Sequence, residues 1–88
     1  MTELKTDYKY IRMVLAKRQA DRKTDTWIIK GSNVLVLGII RWYGPWRQYC
    51  FYPAHDTVFN KECLNDIYDF ITQIMNARKK VIHDTKIN

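Results

Sequence analysis

An α+β domain, with an antiparallel meander of three or four strands and one C-terminal amphipathic helix packed on one face, is predicted by three features of this chain. Short apolar, β-branched and aromatic runs separated by turn residues fill positions 26–53. Leu64, Ile67, Phe70, Ile71, Ile74 and Met75 then recur at three- and four-residue spacing. A chain of 88 residues encloses one small core, which one sheet face and one helix can supply. Residues 1–88 are therefore read as a single domain, with flexible ends expected at 1–7 and 81–88.

The first element is ambiguous by pattern. Ile11, Met13 and Leu15 alternate with Tyr10, Arg12 and Val14, as in a strand, while Tyr8, Ile11, Leu15 and Arg18 fit a helix that Thr6-Asp7 would cap. The strand is preferred because the β-rich segments that follow need partners. Positions 19–25 are polar and charged without apolar period, which marks a water-exposed loop. Thr26 to Lys30 reads as a strand, and Gly31-Ser32-Asn33 supplies turn chemistry after it.

Val34 to Tyr43 is apolar at nearly every position, the pattern of a central strand buried on both faces. Gly44-Pro45 ends it, and a two-residue type II′ turn at that point fixes the expected pairing. One face then carries Val36, Gly38, Ile40 and Trp42 with Arg47, Tyr49 and Phe51, and Phe51 lies over Gly38. The other carries Leu35, Leu37, Ile39, Arg41 and Tyr43 with Trp46, Gln48, Cys50 and Tyr52. The helix starts from Asn60 as N-cap and runs to about Lys79, its early Glu62, Asp66 and Asp69 and late Arg78, Lys79 and Lys80 matching the helix dipole.

The 47% hydrophobic content and three tryptophans argue for a folded core. The net charge of +6 gathers in the first third of the chain and at Arg78-Lys79-Lys80, a balance that favours encounter with anionic partners, nucleic acid above all. Cys50 and Cys63 are too few for a disulfide framework, no signal-like stretch follows the N-terminus, and no apolar run reaches the roughly 20 residues of a membrane span. The expectation is a soluble cytoplasmic protein without membrane contact.

Chemistry-bearing residues are sparse. His55, Asp56, Cys50 and Cys63 form no nucleophile or acid–base arrangement, and three glycines leave no phosphate-binding loop, so an enzyme is not expected and no cofactor is implied. Cys50, His55, Cys63 and His83 lack the paired spacing of a zinc site, and no metal is expected. His55-Asp56 reads as a loop pair, and both cysteines as small core hydrophobes.

The aromatic run from Leu37 to Pro53 exceeds what one helix can cover, and the surplus defines the candidate binding surface: Arg41, Trp42, Tyr43, Trp46, Arg47 and Tyr49. Three occupants fit these residue types. The N-terminal segment or a second copy in a homodimer would bury the apolar surface. Single-stranded nucleic acid would stack bases on Trp and Tyr while arginines track phosphates. A protein partner would use the same Trp, Tyr and Arg as anchors.

The stretch L-G-I-I-R-W-Y-G-P-W-R-Q-Y-C-F-Y-P, followed by D-T-V-F and C-L-N-D-I-Y-D-F-I, resembles small bacteriophage and prophage proteins with an L-G-x-I-x-W-Y-x-x-W-R-Q-Y-x-F-x-P motif. The likeness spans Trp27 to roughly Ile74 and carries over no catalytic residues. It implies a phage setting, inside a host cell, and a non-enzymatic role in phage DNA metabolism or regulation or in binding a host protein.

Overall fold

The β-branched and aromatic content of 26–53 forms strands because each run finds a neighbour at once through a short connection. The computed structural model describes residues 3–19 and 21–87, with side chains through residue 79. Its elements are β1 (Ile11–Leu15), β2 (Thr26–Gly31), β3 (Val36–Tyr43), a 3₁₀ turn (Gly44–Trp46), β4 (Gln48–Pro53) and α1 (Lys61–Ile87). The strands lie in the order β1-β2-β3-β4, all antiparallel, so the meander has four members.

The strand reading of 11–15 holds because β2 offers a ladder from Ile11 opposite Gly31 to Leu15 opposite Trp27. Alternation buries Ile11 and Met13 and leaves Arg12 exposed between them. These two meet Ile29, Ile40 and Tyr49 from the other strands and Ile67, Phe70 and Ile74 from α1 in one core. Trp27 meets Phe70 edge-on, with ring centroids 4.9 Å apart.

Asn60 caps α1 as expected, its Oδ1 accepting the Cys63 N–H at 2.8 Å. No glycine or proline interrupts 76–87, and the helix backbone continues past Lys79 to Ile87. The apolar stripe differs at its start. Leu64 lies about 120° around the helix from Phe70 and is half-exposed, while Cys63 packs against the core in its place.

The β3–β4 turn differs from a two-residue type II′ turn. Tyr43 pairs with Gln48, so Gly44, Pro45, Trp46 and Arg47 all lie in the connection, with Pro45 in the first turn of the 3₁₀ segment and Arg47 left-handed at φ 53°. Every pairing moves by two residues, and an even shift keeps each side chain on its face. Phe51 consequently pairs with Ile40 rather than Gly38. Its ring still reaches Gly38 diagonally: a Cβ there would stand 2.8 Å from Phe51 Cε1 and 2.6 Å from the Tyr52 carbonyl oxygen.

A second departure lies at the start of β3, where the β2–β3 register slips between Ile29 and Lys30. The extra residue lets Leu37 pack against the core and leaves Val36 46% exposed, the reverse of strict alternation. Nor is β3 buried on both faces. It is central, with Gly38 and Ile40 buried, but Ile39, Arg41 and Tyr43 on its other side are only half-buried.

The N-terminal segment closes the outer edge of β1. Tyr8 N–H donates to the Ile11 carbonyl at 2.9 Å and Met13 N–H to the Thr6 carbonyl at 2.8 Å, which occupies edge groups that would otherwise invite another strand. Lys5 and Gln73 exchange two bonds, Lys5 N–H to Gln73 Oε1 at 2.8 Å and Gln73 Nε2 to the Lys5 carbonyl at 3.1 Å. Tyr8 OH donates to Asp69 Oδ2 at 2.7 Å. Of the expected flexible ends, residues 1, 2 and 88 lie outside the described residues.

Burial, and then the Asp69 carboxylate it faces, push the Tyr8 phenol far above its usual value of 10.0. The folded chain therefore keeps a proton that the unfolded chain loses above that pH, and unfolding free energy falls as pH rises further. Tyr8→Phe is expected to cost about 1 kcal/mol near neutral pH and to flatten this alkaline decline in chemical denaturation. An unchanged alkaline slope would assign the decline elsewhere. Gly38→Ala is expected to cost about 1–3 kcal/mol because backbone surrounds the added methyl, whereas Gly44→Ala, which meets nothing within 4 Å, should fall within about 0.5 kcal/mol of the parent.

Candidate functional site

With α1 on one face, strand alternation directs a fixed set of residues to the other. Arg12 and Val14 of β1, Ile28 and Lys30 of β2, Ile39, Arg41 and Tyr43 of β3, and Gln48, Cys50 and Tyr52 of β4 share it. Asp7, bridged antiparallel to Arg12, adds one carboxylate at the β1 corner of this face. Among the described residues no helix or strand packs over this open face.

Arg12 stands between two neighbours, Lys30 on β2, where like charges directly opposed repel, and Asp7 of the N-terminal segment, which offsets that repulsion. Arg41 lies opposite Thr26 on one side and Cys50 on the other, with its guanidinium carbon 4.9 Å from the centroid of the Tyr52 ring. That stacking leaves one face of the tyrosine to the guanidinium and holds the arginine plane against the sheet. Arg41 Nε is shielded from water and has no hydrogen-bond partner among the described residues.

Tyr43 and Trp46 extend the aromatic surface into the turn, with ring centroids 5.0 Å apart and planes at 79°. The 3₁₀ turn projects Trp46 outward, 66% exposed. Arg47 follows it, exposed in the same turn. Of the six candidate residues, Arg41, Tyr43 and Trp46 thus come together on the open side and Arg47 borders them.

Trp42 and Tyr49 are directly paired and face α1 instead, edge to face at 5.3 Å. Arg78 of the helix stacks over Trp42 at 4.2 Å, and Tyr49 N–H approaches Met75 Sδ at 3.4 Å. Burial pushes the Tyr49 phenol up. These two side chains are part of the packing between α1 and the sheet.

The candidate set omitted Arg12, Lys30 and Tyr52. Each alternates with a core residue, Arg12 with Ile11 and Met13, Lys30 with Ile29, and Tyr52 with Phe51, so strand parity was the signal that could have found them. Cys63 packs at the core as expected, whereas Cys50 stands on the open face, and both thiols are free. His55 and Asp56 form an exposed loop pair at 3.4 Å. The side chain of His83 lies outside the described residues. Among the described residues no three His, Cys, Asp or Glu gather as a metal site, and no helix is long and apolar enough to cross a membrane.

At one end of the open face residues 16–19, 22 and 24, between β1 and β2, border Arg41 and form with it a concavity of about 200 Å³. Lys17, Arg18, Arg22 and Arg41 line it with Thr24 and Thr26. Arg18 is held there by Asp25, to which its Nε and Nη2 donate at 3.1 and 2.7 Å.

The fold and site define a small four-stranded sheet-and-helix protein with a cationic, aromatic open face. The chain belongs to a family of small phage proteins, being 33% identical over 72 residues to the "Uncharacterized 9.3 kDa protein" of Acholeplasma phage L2. The alignment covers 82% of this chain and 92% of that protein. No protein-family model matches the chain, and no solved structure matches it.

Proposed function

We propose that this phage-family protein is a non-enzymatic binding protein that holds single-stranded nucleic acid on the open face of its sheet. The observation that carries the reading is the composition of that face: Arg41 stacked on Tyr52 with Tyr43 and Trp46 beyond it at one end, and Arg12 and Lys30 at the other, where Asp7 beside Arg12 is the carboxylate that faces them. Bases stack on aromatic faces whatever their identity, and guanidinium and ammonium groups follow the phosphates. An open sheet face suits an extended strand with splayed bases, since a duplex hides its base faces. The net charge of +6 adds long-range attraction for the polyanion.

A protein partner is the second reading, favoured by Val14, Ile28 and Ile39, which give the same face an apolar centre. A two-fold dimer through this face is the less fitting form of it. Such an interface brings the same patch together from both copies, and Arg12, Lys30 and Arg41 of each, offset by Asp7 alone, leave the joined patch net positive.

The test is an anisotropy titration of labelled oligothymidylate, with an oligonucleotide duplex for comparison, at low and near-physiological salt while tryptophan emission is followed. Saturable single-strand binding with quenching, weakened steeply by salt, is the expected result. Arg47→Ala should weaken it with little change in melting temperature, because Arg47 is exposed in a turn. Absence of binding at low salt would overturn the reading, and a large fall in melting temperature would mark Arg47 as structural.

A further inference from the structure

The geometry points to the concavity between the β1–β2 connection and β3 as a phosphate-binding cleft that anchors the backbone of a strand whose bases lie on the neighbouring aromatic face. This rests on the reading of the open face above and assigns a separate group of residues to one part of the ligand.

Four cations, Lys17, Arg18, Arg22 and Arg41, surround a space of about 200 Å³, and the Thr24 and Thr26 residues line the same space. Like charges gathered this closely repel one another, a cost that an anion between them offsets. Asp25 neutralises one of them, binding Arg18 through both Nε and Nη2, which fixes that side chain and leaves a surplus of positive charge. Arg41 is held by its stacking on Tyr52, and its Nε, shielded from water, is equally closed to a ligand, so a phosphate oxygen in the cleft meets the outer part of the guanidinium, whose fork matches phosphate geometry.

The position of Arg41 joins the two surfaces. It lines the cleft and also stacks on Tyr52, so a phosphate in the cleft sits beside the aromatic face. The same chemistry would accept a phosphate that belongs to no strand, and the experiment separates these sources.

Lys17 and Arg22 are exposed and lie outside the strands, so Lys17→Gln combined with Arg22→Gln should leave the melting temperature unchanged while Arg18 and its Asp25 pair remain. Oligothymidylate affinity is measured against salt for the parent and the double variant. Removing two phosphate contacts should reduce the slope of log affinity against log salt by about 1.4, with tryptophan quenching at saturation retained. In parallel, inorganic tripolyphosphate is titrated into each protein and followed by backbone amide shifts of residues 16–26 and 39–41.

A reduced slope with retained quenching supports a strand phosphate in the cleft. An unchanged slope with tripolyphosphate shifts that the double variant loses supports the cleft's chemistry and assigns it to a free phosphate, overturning the strand anchor. An unchanged slope without such shifts overturns the cleft altogether while quenching leaves the open-face reading standing. If oligothymidylate binds neither protein, the open-face reading falls, and tripolyphosphate shifts alone uphold or overturn the cleft.

Discussion

Ile29, Ile40 and Phe70, the largest fully buried side chains, join the single helix to the sheet, and the sidedness of the whole molecule follows from that contact. Burying each such side chain contributes about 1.5–3 kcal/mol, so the stripe from Cys63 to Met75 has one strongly favoured seat. Once α1 occupies it, strand alternation decides the remainder. Ile11, Met13, Trp42 and Tyr49 go under the helix, and Arg12, Lys30, Arg41 and Tyr52 go to the opposite face. With one small core available to a chain of this length, no second layer forms over that face among the described residues.

The two faces obey different rules. Under the helix the polar atoms are matched locally, as where Met75 sulfur meets the Tyr49 N–H and Arg78 stacks on Trp42. On the open face Arg12 stands between Lys30 and Asp7, and Arg41 carries a shielded, unmatched Nε. Departures from local consistency of this kind gather where a surface is shaped for a ligand. The edges receive separate treatment: the N-terminal residues pair along β1, and α1 reaches β4 through Met75. Pairing through sheet edges is thereby discouraged while the open face remains available.

Much of this was legible in the sequence where periodicity speaks. The helix follows from the 3.6-residue recurrence after Asn60, and the strands at 26–31 and 48–53 from their β-branched and aromatic content. Period alone could not tell the faces of β3 apart, because nearly every residue in it is apolar. Turn length decided the β3–β4 pairing, and the two-residue error was harmless to facing because it was even. The bulge that turns Leu37 inward has Gly38 beside it as its one sequence mark, and that glycine also fits the close approach of Tyr52 and Phe51. Tyr8, Asp69 and Gln73 meet across more than 60 positions, and the basic cleft depends on how a loop without apolar period folds. Such contacts follow from tertiary geometry that no local pattern encodes.

The central claim, that α1 covers one sheet face and leaves the other to a ligand, is tested most directly by methyl NMR with a soluble paramagnetic agent. Ile28 and Ile39 report on the open face, Ile29 and Ile40 on the helix side. The account predicts attenuation of the Ile28 and Ile39 methyls in the free protein, protection of Ile29 and Ile40, and relief at Ile28 and Ile39 when oligothymidylate is added. Ile28 and Ile39 methyls already protected in the free protein, with protection that weakens on dilution, would contradict it and place a second copy of the chain on that face.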